Sequence, residues 1–386
     1  MARPVRKRVL WVTLVVAGLA ASAIGVAQWA IHRAQRLRPV APIDRNSPEW
    51  LAREDALARA RVFLPERPDP AAHDFSRNPK DVHGHRFDRE VRCKYVPKRT
   101  SGTTPKFDCA LEDGDVVKVK FGRTHEIQGE VAATRLLSAL GFPADYVSLV
   151  EHVRCDGCPL SPFRMRQIFE GLNLAEWFDR HLDYGKTRDF RWASVEMKFE
   201  GDAIEVGDAK GWNWTDLEAV RADRGGATRA ELDALRLVAV LLAYWDNKPT
   251  NQRLVCLDQP ADDPLCHRPL LMLQDLGATF GPRKVDLDRW SATPIWAADT
   301  AGCVATMESL PYHGATFKPV AISEGGRRLV AERLRQLTEQ QMLDLFRASR
   351  FPNEADVGPP GTGAEAWVEV LQKKIHEIAD RSPCAL

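Results

Sequence analysis

The strongest constraint on this chain is a long apolar helix that stops on a polar island. Thr228-Arg229-Ala230-Glu231 has the form of a capping box, and it opens the apolar run from Leu232 to Trp245. The run ends in Asp246-Asn247-Lys248-Pro249-Thr250-Asn251. Two strand-like stretches follow, Arg253–Leu257 and Leu270–Gln274, and the second leads into Asp275-Leu276-Gly277. A helix this apolar has to be buried. The polar island therefore lies at the end of a core helix, and a hairpin brings Asp275 back towards it. Taken alone, Asp and Asn after a helix are ordinary turn residues; the hairpin gives them weight. A buried strand ending in Asp-x-Gly suggests backbone that approaches a ligand closely.

Upstream, Arg92 to Phe121 reads as strands. Val116-Val117-Lys118-Val119-Lys120-Phe121 alternates with period two, which puts Lys118 and Lys120 on one face. His125 to Leu140 reads as a helix closed by Gly141 and Pro143, with Glu126 and Glu130 one turn apart. Val147–Val153 and Arg164–Phe169 are expected to be strands, and Leu172–His181 helical. Gly201–Thr228 reads as an inter-lobe region, and Gly325–Leu337, Thr338–Ala348 and Glu365–Arg381 as helices. No 20–50-residue repeat is visible.

The N-terminus is set apart. Arg3, Arg6, Lys7 and Arg8 precede an uncharged run from Val9 to Ile31, long enough to span a bilayer as a helix. A retained anchor is expected; the alternative is a signal peptide cleaved near Gly25-Val26-Ala27. The positive cluster puts the N-terminus in the cytoplasm and the rest of the chain outside it, although Arg33, Arg36 and Arg38 oppose that bias. The eight cysteines fit an exported domain. Proximity pairs Cys93 with Cys109, Cys155 with Cys158 and Cys256 with Cys266, leaving Cys303 for Cys384. Cys155 and Cys158, preceded by His152, could instead be half of a zinc site. With 54 Lys and Arg against 53 Asp and Glu, there is no electrostatic case for a nucleic-acid partner. There is also no Gly-x-Ser-x-Gly and no Walker-type phosphate loop.

The parts occur in the order strand with Lys, helix with Glu, buried helix, Asp-x4-Asn, strand pair, Asp-x-Gly. Phosphoryl transfer needs parts of this kind, because it rests on positioning and charge neutralisation. A strand Lys holds nucleotide phosphates and a helix Glu orients it. A loop Asp receives or orients the acceptor's proton, and Asn with the second Asp holds a divalent metal. Lys120 is the preferred lysine with Lys118 as substitute, and Glu130 the preferred glutamate over Glu126. The plain alternative is an edge strand with solvated lysines beside a surface carboxylate.

On these residues, Val116 to Phe346 resembles the atypical branch of the protein-kinase-like superfamily: HipA-type kinases, phosphoinositide kinases and secretory-pathway kinases. The resemblance implies that Asp246 is the catalytic-loop Asp, that Asn251 and Asp275 bind metal, and that Lys120 and Glu130 form the ion pair. The sequence departs from that pattern at Lys248, where His is frequent. It also lacks an evident Gly-rich loop, for which Lys98-Arg99-Thr100-Ser101-Gly102-Thr103-Thr104 is the nearest candidate.

The expected fold is α+β: a two-lobed kinase-like fold with a small β-rich N-lobe and a mainly helical C-lobe, preceded by a transmembrane helix. The expected division is anchor 1–38, stalk 39–90, N-lobe 91–200 and C-lobe 201–386. The expected function is a membrane-anchored, extracytoplasmic phosphotransferase using ATP with Mg or Mn, acting on a protein, lipid or sugar acceptor. The alternative is an inactive kinase-like binding module of the cell envelope.

Overall fold

The computed structural model describes residues 3–36, 43–100, 102–258, 265–282, 284–298, 302–310, 314–352 and 363–384. Two helices come first, α1 (Arg3–Arg36) and α2 (Pro48–Arg59). Next are β1 (Glu90–Val96), β2 (Lys106–Ala110), β3 (Val116–Lys120), α3 (Glu126–Ala139), β4 (Tyr146–Asp156), α4 (Met165–Gly171), α5 (Ala175–Arg180) and β5 (Thr187–Met197). A short strand β6 (Asp202–Ala203) precedes the core helix α6 (Arg229–Leu241) and the hairpin β7 (Gln252–Cys256) and β8 (Pro269–Leu273). The chain continues with α7 (Leu287–Ala292), β9 (Val304–Ala305), β10 (Val320–Ala321), α8 (Glu324–Leu334), α9 (Glu339–Ala348) and α10 (Ala364–Ala379).

The expected fold class needs two corrections. The N-terminal sheet is a closed barrel in the order β1-β2-β3-β5-β4, in which β1 meets β4 in parallel and the other pairs are antiparallel. Closure follows from the alternation. Val117, Val119, Phe107, Val150, Val153 and Val195 turn inward around a common apolar centre, and closing the sheet leaves no open edge. The second correction concerns the membrane. No helix among the described residues is long and apolar enough to cross one. The side chains of Val9–Val15, the first part of the expected span, lie outside the described residues; from Val16 onward α1 is rich in alanine, which carries little apolar surface, and it takes in His32 and Arg33. Its end docks on the protein instead. Ala30 and Ala34 are buried, Arg33 Nη1 donates to the Gly171 carbonyl at 3.2 Å, and a Cβ on Gly171 would lie 2.0 Å from the Ala30 carbonyl oxygen. The side chains of Arg3, Arg6, Lys7 and Arg8, and the whole of Arg38, lie outside the described residues.

Arg164–Phe169 is not a strand. Most of it forms α4, whose Met165 and Phe169 pack on the barrel core. Helix α3 lies between the two halves of the molecule. Ile127 and Val131 meet Val147 and Leu149 of the barrel wall, while Ala132, Ala133, Leu136 and Leu137 enter the larger helical core. That core holds α6, with Leu235, Leu237, Val238, Val240 and Leu241 buried. Each such side chain contributes about 1.5–3 kcal/mol on burial. Trp212, Trp290, Trp367 and Phe351 are buried there too, as are Ala56, Leu57, Val62, Phe63 and Phe75 of the segment before the barrel.

The four cysteine pairs are the four disulfides, Cys93–Cys109, Cys155–Cys158, Cys256–Cys266 and Cys303–Cys384. Cys155 and Cys158 therefore offer no thiolates to zinc.

Candidate active site

Lys120 ends β3 and points away from the barrel centre. The chain turns at Gly122, where φ is 98°, and enters α3, which carries Glu126 and Glu130 back along the barrel. Lys120 Nζ lies 2.7 Å from Glu130 Oε1, 2.7 Å from Asp275 Oδ1 and 3.6 Å from Glu126 Oε1. The Lys120 side chain is 1 % exposed. An ammonium this deep is tolerated only when it is paired. Burial lowers the Lys120 pKa, but the charges of Asp275, Glu130 and Glu196 outweigh it and hold the group well above the ordinary lysine range. Glu130 responds the other way: burial dominates over the attraction of Lys120 and pushes its carboxyl up to about 7. Burial also pushes the Asp275 carboxyl up, but Lys120 and Lys106 overcome it and hold Asp275 below the usual carboxylate range. Asp275 alone of the three remains open to solvent, its side chain 39 % exposed.

The opposite wall is built by backbone geometry. Helix α6 ends earlier than its apolar pattern suggests, because Ala243 takes the left-handed conformation at φ 52°. Its N–H donates to Val240 O and that of Tyr244 to Ala239 O, a Schellman closure made without glycine. The Tyr244 hydroxyl then donates to the Asn251 carbonyl at 2.7 Å and lies 2.9 Å from the Gln274 carbonyl. Gln274 N–H donates to the same Asn251 carbonyl at 2.9 Å. The polar island and the residue before Asp275 are thus tied together. Asn251 Nδ2 donates to the Asp246 carbonyl at 2.7 Å. Asp275 itself sits at φ 51°, a conformation that Asp tolerates better than most residues. Gly277 leaves no room for a side chain: a Cβ there would lie 2.0 Å from Glu126 Cγ.

The structure brings Lys120, Glu130 and Asp275 together, with Asn251 across the hairpin from the residue before Asp275. Asp246 stands at the start of the same loop, where its carboxylate is 3.0 Å from Lys248 Nζ. Lys118, the substitute lysine, pairs with Glu196 of β5 at 2.8 Å. An ion-pair chain continues from Glu196 through Lys198 and Asp145 to Arg253 of β7, linking the barrel to the hairpin.

Several residues of the site had no signal in the sequence. Lys106 stands opposite Lys120 in the β2–β3 register, is buried beside it, and has its pKa lowered chiefly by that burial. The partners of Glu126, itself the second choice of glutamate in the sequence, were equally out of reach: it is bonded by Thr104 of the β1–β2 loop and by Lys284, and so joins three segments that local patterning cannot connect. Asn247 is buried and accepts from the N–H groups of Thr316 (2.9 Å) and Phe317 (3.0 Å), which fixes the loop from behind.

No family model matches the chain, and no curated protein matches it. Among solved structures, the proinflammatory kinase CtkA of Helicobacter pylori is similar at a TM-score of 0.42 and 10% sequence identity, covering 76% of this chain and 97% of that one. A likeness of that degree carries no argument about this chain.

Proposed function

We propose that this chain is a kinase-like phosphotransferase that takes ATP with Mg or Mn in the cleft between the barrel and the helical half. One observation carries the reading: a buried lysine paired at once with a helix glutamate and with the aspartate of Asp-x-Gly. Lys120 holds phosphate oxygens, and Glu130 keeps its ammonium aimed at the cleft. Asp275 supplies an exposed carboxylate and Asn251 an amide oxygen. Both are hard oxygen donors of the kind Mg and Mn take, so the donor set fits such an ion. The ion, when bound, neutralises phosphate charge. Asp246 accepts or orients the acceptor's proton once Lys248 swings away. The acceptor is a protein, lipid or sugar hydroxyl. The four disulfides favour an oxidising, non-cytoplasmic compartment.

A second reading, an inactive kinase-like binding module, is favoured by one contact. The Lys248 ammonium lies against the Asp246 carboxylate that would serve as base. Thermal melting with ATP plus Mg or Mn tests nucleotide binding. Ligand that binds the folded chain raises its melting temperature by mass action. A rise that requires both components and disappears in Asp275→Ala supports the cleft as the site. No rise in the wild-type chain defeats the nucleotide reading. Phosphate release from ATP separates enzyme from binding module.

A further inference from the structure

We propose that His83, His85 and Asp115 form a binding site for a divalent transition metal of the zinc class. It lies at the other end of β3 from Lys120, roughly 16 Å away along the strand at about 3.3 Å per residue. His83 and His85 come from the segment that precedes the barrel, and Asp115 from the turn joining β2 to β3.

Their ligand atoms all lie within 4.8 Å of one another. His83 Nδ1 faces Asp115 Oδ2 directly, and His85 Nδ1 is 4.0 Å from the same oxygen. Two imidazole nitrogens and a carboxylate oxygen suit zinc, and suit Mg or Ca poorly. Asp81 Oδ2, 3.2 Å from His85 Nδ1, is a further oxygen at the edge of the group. The surroundings are those of a ligating histidine. His85 Nε2 lies 2.8 Å from Asp113 Oδ2, so a carboxylate stands at the ring nitrogen opposite the one that faces Asp81 and Asp115. A carboxylate on the second nitrogen fixes both tautomer and ring orientation in metal sites.

Both backbone segments are already shaped for this role. The buried Asp81 accepts the N–H groups of His83 (3.0 Å) and His85 (2.8 Å) on one carboxylate oxygen. Its own N–H donates to the His85 carbonyl at 3.0 Å, and Gly84 completes the turn at φ 84°. On the other side, Asp113 Oδ1 accepts the Asp115 N–H at 3.0 Å. Side-chain exposure of 49% for His83 and 30% for Asp115 lets an ion reach them. A metal here cross-links two segments 32 residues apart and clamps the leading segment onto the barrel.

Calorimetric titration of Zn2+ into the chelator-treated full chain tests this, carried out in an Asp275→Asn background so that the cleft does not contribute. One zinc is expected to bind per chain. His83→Ala combined with Asp115→Asn should abolish binding, and Asp113→Asn should weaken it by about 10–100-fold. Co2+ in place of zinc should give visible absorption bands that the ligand variants lack. Circular dichroism of the metal-free variants checks that they fold. Failure of the chain to take up zinc would overturn the proposal. So would uptake that folded His83→Ala/Asp115→Asn retains. Neither result bears on nucleotide binding in the cleft.

Discussion

The two sides of the candidate site are held by different physics. The barrel wall is a nest of buried charge: Lys120, Lys106, Glu126, Glu130 and Glu196 are all buried, and each acts on its neighbours through Coulomb forces in a poorly solvated space. The helical side is held by neutral hydrogen bonds between backbone groups and the side chains of Tyr244 and Asn251, which donate, and Asn247, which accepts, and by left-handed residues at Ala243 and Asp275. Asp275 is where the two meet, since its side chain belongs to the charge nest and its backbone to the hairpin. A charged wall without a partner cation is unstable, whereas a neutral wall that loses one bond is only less exact in shape. The barrel side should therefore respond to substitution and pH in stability, and the helical side mainly in ligand affinity.

The sharpest test of that difference is Lys120→Ala. It leaves Glu130 buried without its cation and should cost about 3–5 kcal/mol of stability by denaturant unfolding. A loss no larger than that of a surface lysine would break the comparison. A pH effect comes next. Glu130 has a folded pKa raised from 4.5 to about 7, so its contribution is fully present below pH 4.5 and is lost as pH rises through about 7. Asp275 is the reverse: its folded pKa is depressed, so its contribution is present above 3.8 and lost as pH falls further. Stability measured against pH should decline between pH 4.5 and 7 in the wild type. Glu130→Gln should flatten that segment and leave the acid limb.

Removing Cys256–Cys266 as a paired serine variant frees the loop of the hairpin that carries Asn251 and Asp275. The expected cost is about 2–3 kcal/mol for a loop this short, with weaker nucleotide binding as well. Affinity that is unchanged would mean that the hairpin is fixed by its core alone. The smallest effect belongs to Tyr244→Phe, at about 1 kcal/mol. Its mark should be a drop in metal-dependent ATP affinity larger than its effect on melting.

Much of the site could be read locally. The period-two run fixed the face of Lys120, the helical period gave Glu126 and Glu130, and short sequence separations gave the first three cysteine pairs. Lys106 was out of reach because its role depends on cross-strand register, which closure of the barrel sets. The end of α6 was misread because alanine at φ 52° has no sequence signature. The membrane expectation failed for another reason. The run Val9–Ile31 is uncharged, but its later half is rich in small residues and ends against α4.

The central claim is that both walls form one metal-dependent nucleotide site. Calorimetric titration of ATP with and without Mg tests it most directly. The account predicts one-to-one binding that requires Mg, is retained in Lys248→Ala and is lost in Asp275→Asn. Equal binding by Asp275→Asn, or no binding by the wild type with Mg present, would contradict it.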